Sequence, residues 1–235
     1  MRPDHYDSFA ASYATENESS LMNAYYERPA MLALAGDVSG RSVLDAGCGS
    51  GALSAELQAR GAVVTSFDGS PGMVELARER LGPDAVVDVA DLTKPLPYAD
   101  AQFDDAIASL VLHYFEDWTT PLAELRRVLK PGGRLLVSVN HPIIYRLLKP
   151  TANYFETVPH TEEYAFNGQP AELTYWHRPL TAMSDAFAEA GFTVSSFTEP
   201  PFSTDTPPEL LAENLRDKTH FLCFIFFVLS APSPA

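Results

Sequence analysis

The fold of this 235-residue chain is decided by the stretch Val43-Leu44-Asp45-Ala46-Gly47-Cys48-Gly49-Ser50-Gly51. Its apolar first half has the length and composition of a strand buried in a parallel sheet. Three glycines alternate after it, and glycine enters left-handed backbone without a Cβ penalty. A tight turn there leaves the first N–H groups of the next helix without partners, so they can bind a polar ligand. The stretch predicts a strand, a ligand-binding turn and a helix.

Strands and helices alternate on the C-terminal side of this stretch. The predicted strands are Ser42–Ala46, Ala62–Phe67, Ala85–Val89, Phe103–Leu110 and Arg134–Val139. The predicted helices between them are Ala52–Arg60, Gly72–Leu81 and Pro121–Leu129. This alternation indicates βαβ units with right-handed crossovers and therefore a parallel sheet with helices on both faces.

The flanks complete a single predicted domain over residues 1–235. Helices at Asp4–Ala14 and Leu21–Ala35 form an N-terminal cap (residues 1–36) before the core of residues 37–140. Residues 141–178 contain many aromatics and prolines with weak periodicity, so we expect an irregular insertion that acts as a lid. Residues 179–235 resume with a helix at Leu180–Ala190 and then two strands, Phe192–Phe197 and Phe221–Leu229. An antiparallel pairing of these two strands is expected at the sheet edge.

Composition excludes several classes of function. The formal net charge is −15, so the surface repels phosphate backbones and a nucleic acid partner is not expected. No apolar run reaches the roughly 18 residues of a membrane span, and no signal-peptide pattern opens the chain. Cys48 and Cys223 are the only cysteines, which argues against a structural disulfide or a zinc site. A cytoplasmic protein without a membrane partner is the expectation.

An acid that follows the glycines in sequence restricts the class of ligand that the loop can bind. Asp68 ends the second predicted strand, 17 residues after Gly51, where a carboxylate accepts hydrogen bonds from ribose hydroxyls. A glycine turn with a second-strand acid predicts a nucleoside-binding site. The motif alone leaves two ligands open, because Gly47–Ala52 also satisfies the dinucleotide fingerprint G-x-G-x-x-[G/A].

The surrounding residues resemble the class I S-adenosylmethionine-dependent methyltransferases. The resemblance rests on the acid and glycines of Asp45–Gly51, on Asp68-Gly69-Ser70 with Met73, on Ala90-Asp91-Leu92, on Phe103-Asp104, and on residues 129–135. It implies a Rossmann-like, doubly wound α/β fold with seven strands, mostly parallel, and one antiparallel C-terminal strand. It also implies S-adenosyl-L-methionine as the cofactor and S-adenosyl-L-homocysteine as the product. The cofactor-binding residues expected on this basis are Tyr13, Asp45, Gly47, Cys48, Gly49, Gly51, Asp68, Gly69, Ser70, Met73, Ala90, Asp91, Leu92, Ser109 and Leu110.

The N-terminal segment supplies further candidates. In the family that the chain resembles, aromatic residues before the first strand often close over the cofactor, and Tyr6 and Tyr13 match them. Further along the chain, the residues predicted on the substrate side are Asn23, Tyr25, Tyr26 and Arg28. The alternative is that Tyr25 and Tyr26 pack on the sheet.

The implied reaction is in-line attack of a nucleophile on the sulfonium methyl, for which the protein mainly supplies positioning. A proton-bearing nucleophile also needs a base. The candidate catalytic residues are His113, His141 and Tyr26, since both histidines follow strand ends and histidine titrates near neutrality. No metal is expected: Asp104 and Asp105 lie at the start of a strand, away from the ligand edge, and are predicted to be structural.

The acceptor is predicted to be a small molecule with an aromatic or hydrophobic ring, as in secondary metabolism. Candidate substrate-binding residues besides those of the N-terminal segment are His113, Tyr114, His141, Tyr145, Tyr175 and Trp176. Two alternatives stay open: an NAD-dependent oxidoreductase, and a protein that binds S-adenosylmethionine without transferring methyl, such as a cyclase or regulator. We expect a monomer or a homodimer.

Overall fold

The computed structural model describes residues 9–232, and a seven-stranded sheet forms its centre. Its strands are β1 (Ser42–Ala46), β2 (Val63–Asp68), β3 (Val86–Val89), β4 (Phe103–Ser109), β5 (Leu129–Asn140), β8 (Thr193–Thr198) and β9 (Phe224–Ser230). Two further strands, β6 (Val158–Phe166) and β7 (Gln169–His177), form a separate hairpin. The helices are α1 (Ala10–Asn17), α2 (Arg28–Ala35), α3 (Ala52–Ala59), α4 (Pro71–Leu81), α5 (Thr119–Val128), α6 (Pro142–Leu148) and α7 (Leu180–Glu189).

The strand order is β3-β2-β1-β4-β5-β9-β8. Strands β1 to β5 are parallel, and β9 lies antiparallel between β5 and β8. The order reverses between β1 and β4, which is the topological switch point where such sheets bind ligands. The predicted fold class, seven mostly parallel strands with one antiparallel C-terminal strand, is confirmed.

The core consists of two layers, one on each face of the sheet. Side chains of neighbouring strand residues point to opposite faces, so Val43 packs under α2 and α3 whereas Leu44 packs under α5 and α7. Both side chains are fully buried. This burial on both faces explains why the consecutive residues Val43 and Leu44 are both apolar.

Two predictions for the N-terminal helices need correction. Tyr6 and the start of the predicted helix at Asp4–Ala14 lie outside the described residues, and α1 continues to Asn17. The predicted helix Leu21–Ala35 is interrupted by a π-helical turn at Asn23–Glu27. Such a turn often marks a functional site, because its wider ring changes the direction of the side chains.

The prediction of an irregular insertion at residues 141–178 is wrong. The segment contains α6 and the β6–β7 hairpin, whose turn is Asn167-Gly168 with φ values of 47° and 79°. Both residues adopt left-handed backbone conformations, as the type I′ turn of a two-residue hairpin loop requires. Asn-Gly is the strongest sequence signal for such a turn. Exposed residues alternate with half-buried ones along β6, and the more buried positions also recur at every second residue of β7, although the many aromatic residues hide this period in the sequence.

Strand β5 begins at Leu129 rather than at the predicted Arg134, and the Pro131–Gly133 turn lies within its bounds. Gly133 is required there, since a Cβ would lie 2.9 Å from the carbonyl oxygens of Asp104 and Lys130. Within residues 9–232, none of the helices combines the length and apolar character needed to cross a membrane. The cytoplasmic location stays a prediction.

Candidate functional site

A pocket opens at the carboxyl ends of β1, β2 and β4 and extends to the segment after β3. The predicted cofactor-binding residues that line it are Tyr13, Gly47, Cys48, Gly49, Asp68, Gly69, Met73, Ala90, Asp91, Leu92, Ser109 and Leu110. These residues come from segments as far apart as α1 and the end of β4, and the fold brings them together. The predicted Asp45, Gly51 and Ser70 do not line the pocket.

The glycine loop at residues 47–51 forms one wall. Gly47, Gly49 and Gly51 all have positive φ, at 75°, 54° and 78°. A Cβ on Gly47 would lie 2.6 Å from Cγ2 of Val111, so this position also needs glycine for space. Both Gly47 and Cys48 donate backbone hydrogen bonds to the carbonyl of Phe67, which ties the loop to β2.

Asp68 stands at the end of β2 and faces the loop. Its Oδ2 accepts a hydrogen bond from the backbone N–H of Gly49, and its Oδ1 accepts one from Ser70, each at 2.9 Å. Ser70 caps α4 by accepting from the backbone N–H of Met73 at 3.2 Å. Ser70 therefore holds Asp68 and the start of α4 in position, although it does not line the pocket.

Asp45 lies beneath the loop instead of in the pocket. It is 1% exposed, and its Oδ2 accepts a hydrogen bond of 2.5 Å from Ser54, which also bonds Ser66. Burial raises the pKa of Asp45 to about 7, against the opposing effect of the Ser54 hydrogen bond. Asp45 thus joins the end of β1 to α3 and β2 through this buried network.

The segment after β3 forms the far wall. Asp91 accepts hydrogen bonds from the backbone N–H and the hydroxyl of Thr93, and forms an ion pair with Lys94 at 3.1 Å. Partial burial opposes these contacts, but together they lower the pKa of Asp91. The side chain of Asp91 thus fixes the turn, while Leu92 is buried beside it.

Glu27 is the functional candidate that sequence reasoning missed. It belongs to the π-helical turn, lines the pocket and is 4% exposed. Its Oε1 accepts hydrogen bonds from the hydroxyls of Ser109 on β4 and Ser138 on β5, each 2.7 Å long. Burial raises its pKa even though both serine hydrogen bonds lower it. The sequence signal for Glu27 is a single acid within the predicted helix Leu21–Ala35, which ordinarily indicates a solvent-facing residue.

His113 does not line the pocket, which corrects its assignment as a catalytic base. The ring is 4% exposed and stands behind Tyr114 and Tyr175, with ring centroids 4.7 and 5.0 Å away. Its Nδ1 accepts a hydrogen bond from the backbone N–H of Asn140 at 3.1 Å. Burial lowers the pKa of His113 to about 3, so the ring is a weak proton acceptor.

His141 and Tyr26 also lie away from the pocket. His141 caps α6 by accepting from the backbone N–H of Ile143, and its Nε2 lies 2.8 Å from Glu199, so both ring nitrogens have partners. Tyr26 is 1% exposed and stacks on Phe224 in the core. Burial raises the pKa of Tyr26 to about 12. The alternative that Tyr26 packs on the sheet describes its position.

The predicted substrate-side residues fall into three groups. Asn23, Arg28 and Tyr114 line the pocket, whereas Tyr25 lines neither the pocket nor the smaller cavity. His113, His141, Tyr145 and Trp176 instead line a smaller cavity under the hairpin. Tyr175 packs behind the pocket wall, 5.3 Å from the ring of Tyr114. The hairpin thus supports the pocket wall, and the predicted substrate-side residues Tyr175 and Trp176 on β7 do not line the pocket.

Comparison with known proteins identifies the central part of the chain. Residues 44–137 match the methyltransferase domain family. The malonyl-[acyl-carrier protein] O-methyltransferase of Serratia marcescens is 40% identical over 99 residues, covering 42% of this chain and 38% of that protein. The demethylmenaquinone methyltransferase of Corynebacterium kroppenstedtii is 42% identical over 147 residues, covering 62% of each chain. The crystal structure of an S-adenosylmethionine-dependent methyltransferase from Mesorhizobium loti superposes with a TM-score of 0.64 at 27% identity, covering 86% of this chain and 96% of that one.

Residues 44–137 therefore match a methyltransferase domain, and the fold around them is similar to that of an S-adenosylmethionine-dependent methyltransferase.

The matched region of the methyltransferase domain runs from β1 into β5 and contains the glycine loop, Asp68 and Asp91. The chain spans less than two thirds of the length of the two curated relatives above. Tyr13, Glu27 and Arg28 precede the matched region, yet they line the same pocket. The elements around the domain therefore contribute to the pocket.

The opposite edge of the domain holds Asp104 and Asp105, as predicted for structural acids. Asp105 is 1% exposed and forms paired hydrogen bonds with both Arg41 and Arg134. Asp104 forms an ion pair with Lys130 at 2.8 Å, and this contact lowers the pKa of Asp104 to about 2. These acids join the starts of β1, β4 and β5, far from the pocket.

Proposed function

We propose that the protein transfers a methyl group from S-adenosylmethionine to a small-molecule acceptor. The observation that carries the proposal is the convergence of the glycine loop, Asp68 and the Asp91 segment on one pocket at the switch point of the sheet. A nucleoside fits there with its ribose on Asp68 and its base against Ala90 and Leu92.

The strand order predicts which end of the cofactor would lie over which strands. The base would lie over the ends of β3 and β2, and the amino-acid part over the loop after β1 and the end of β4. Adjacent strands lie about 4.8 Å apart, so β2 and β4 are separated by about 10 Å. An extended nucleoside joined to an amino acid would cover that distance, and Tyr114 and Phe115 would line the remaining part of the pocket, where an acceptor would bind.

In the transfer, a lone pair of the acceptor atom forms the bond to the methyl carbon as the carbon–sulfur bond breaks. The bonding electrons go to sulfur, which changes from a cationic sulfonium to a neutral thioether. Because the sulfonium is already reactive, alignment in the pocket accounts for most of the protein's contribution. A base is required only for an acceptor that must lose a proton.

The acceptor side of the pocket favours a ring-bearing small molecule. Tyr13, Tyr114 and Phe115 line the pocket, and such aromatic walls suit flat or apolar ligands. The formal charge of −15 disfavours a nucleic acid acceptor. The two curated relatives described above are named for different acceptors, so their names do not select one for this chain. A secondary metabolite remains our proposal.

Calorimetry with S-adenosylmethionine, S-adenosylhomocysteine and NAD tests the cofactor assignment. We expect binding of the first two and none of NAD. Incubation with acceptor mixtures, followed by mass spectrometry, should show S-adenosylhomocysteine and a product heavier by one methylene. Binding of NAD alone would identify an oxidoreductase. Binding of S-adenosylmethionine without turnover of any acceptor would support the cyclase or regulator alternative.

The histidine hypothesis is tested separately once an acceptor is known. The positions of His113 and His141 argue that neither ring reaches the acceptor. His141→Asn keeps an acceptor at the position of Nδ1 for the backbone N–H of Ile143, so it should retain the helix cap and leave the pH dependence of kcat unchanged. A general base must be deprotonated to act, so loss of the acidic limb of that profile, where kcat falls as the base is protonated, would restore His141 as a catalytic base.

A further inference from the structure

Only one of the two carboxylate oxygens of Glu27 accepts hydrogen bonds from the described residues. Both serine hydroxyls donate to Oε1, and among the described residues Oε2 accepts no hydrogen bond. A buried carboxylate without full pairing is costly, so a residue of this kind is normally matched by a cation. Because Glu27 lines the pocket, a bound ligand can supply that cation.

Arg28 stands next to Glu27 and lines the same pocket without neutralising it. Its guanidinium donates to the backbone carbonyl and to the side-chain oxygen of Asn17. Within residues 9–232, Arg28 forms no ion pair with Glu27. The pocket therefore presents one anion and one cation side by side. The complementary ligand group is a zwitterion with an ammonium and a carboxylate on neighbouring atoms.

The position of Glu27 along the sheet agrees with such a ligand group. Ser109 anchors Glu27 at the end of β4, on the other side of the glycine loop from Asp68. A nucleoside on Asp68 would extend its 5′ substituent across the loop to Glu27. In S-adenosylmethionine that substituent ends in an α-amino acid.

We propose that Glu27 binds the α-ammonium group of S-adenosylmethionine and that Arg28 faces its carboxylate. This inference rests on the proposed function, since it assigns the cofactor's amino-acid end within the same pocket. The π-helical turn at Asn23–Glu27 brings the side chain under the ends of β4 and β5. Ser109 and Ser138 are positioning residues that hold Oε1, so that Oε2 faces the ligand.

The experiment compares ligands with and without the amino-acid end. Calorimetry is run with S-adenosylmethionine, S-adenosylhomocysteine and 5′-methylthioadenosine, which keeps the nucleoside and sulfur but lacks the amino acid. Glu27→Gln preserves the shape of the side chain and its acceptor for the serines. It should weaken the first two ligands by roughly 10- to 100-fold and change 5′-methylthioadenosine by less than about twofold. Asp68→Asn is the matched control and should weaken all three.

Arg28→Gln provides a second variant, because Arg28 is only half-buried and its loss threatens folding less. It should show the same selective loss as Glu27→Gln. Equal weakening of all three ligands by Glu27→Gln and by Arg28→Gln would overturn the inference and assign both residues a structural role. Unchanged cofactor affinity with reduced methyl transfer would also overturn it, and would place Glu27 on the acceptor. Failure of the wild-type protein to bind S-adenosylmethionine would instead refute the proposed function.

Discussion

The Oδ2 atom of Asp68 accepts a hydrogen bond from the backbone N–H of Gly49 at 2.9 Å. Asp68, which is proposed to bind the ribose, thus also holds the glycine loop in place. The two parts of the proposed nucleoside site are therefore linked by a hydrogen bond. A change at Asp68 will act on the loop as well as on the ribose.

The first prediction follows from this double role. Asp68→Ala should weaken S-adenosylmethionine binding by roughly 1.5–3 kcal/mol, the range for hydrogen bonds that involve a charged group. Calorimetry measures the affinity, and urea unfolding without ligand reports the separate effect on the loop. Unchanged affinity would refute the ribose assignment.

Gly47 allows a test of close packing at the loop. Gly47→Ala requires φ of 75° and places a Cβ 2.6 Å from Val111. Gly40→Ala is the control, since Gly40 has φ of 71° and nothing within 4 Å of the added Cβ. Each substitution should lower the free energy of unfolding by about 1–2 kcal/mol, because alanine is strained in the left-handed conformation. Gly47→Ala should lower the free energy of unfolding by roughly 1–3 kcal/mol more, because the added Cβ overpacks against Val111. Equal losses in urea unfolding would show that Val111 moves aside freely.

His113 predicts a dependence of stability on pH. Burial lowers its pKa from the ordinary 6.5 to about 3 in the folded protein. The folded state therefore favours the neutral ring, so this stability is present above pH 6.5 and is lost as the pH falls below it. Between pH 7 and pH 5 the contribution of His113 should fall by about 2 kcal/mol.

The measurement is urea unfolding at several pH values. His113→Asn keeps an acceptor for the Asn140 N–H without a titrating ring, so its stability should fall less steeply over the same interval. His141 and His177 also have lowered pKa values through burial, and they contribute equally to both proteins. Parallel curves for wild type and variant would show that His113 is not the responsible group.

Asp105 tests whether the acidic pair at the opposite edge is structural. Asp105→Ala leaves Arg41 and Arg134 without their shared partner and should destabilise the fold by roughly 2–4 kcal/mol, less than for a fully buried pair because both arginines are partly exposed. Asp100→Ala removes an ion pair whose acid is 80% exposed, and should cost less than about 1 kcal/mol. Neither change should alter S-adenosylmethionine affinity. A loss of affinity in Asp105→Ala would contradict the structural role.

The sequence predicted the parallel half of the sheet well because its signals are local. Buried strands such as Ser42–Ala46 are short and mostly apolar, and glycines with positive φ follow them where the chain turns. The hairpin was missed for a different reason. Its Asn167-Gly168 turn was a sufficient local signal, but the aromatic residues of β6 and β7 were interpreted as a lid.

The candidate bases show the limit of predicting sites from strand ends. His113 and His141 follow β4 and β5, as expected, but a strand end does not specify in which direction a side chain points. His113 turns into the layer behind Tyr114, and His141 caps a helix that had not been predicted. Their surroundings come from the hairpin and from Glu199, which are distant in sequence.

The sequence by itself determined the glycine loop, Asp68 and the direction of the sheet, because conformational freedom of glycine and strand periodicity act over a few residues. Only the tertiary structure decided which acids face the ligand. Asp45, adjacent to the loop in sequence, is buried beneath it, whereas Glu27 reaches the pocket through serines 82 and 111 residues away. Burial and hydrogen bonding depend on neighbours that folding brings together, and no local pattern specifies them.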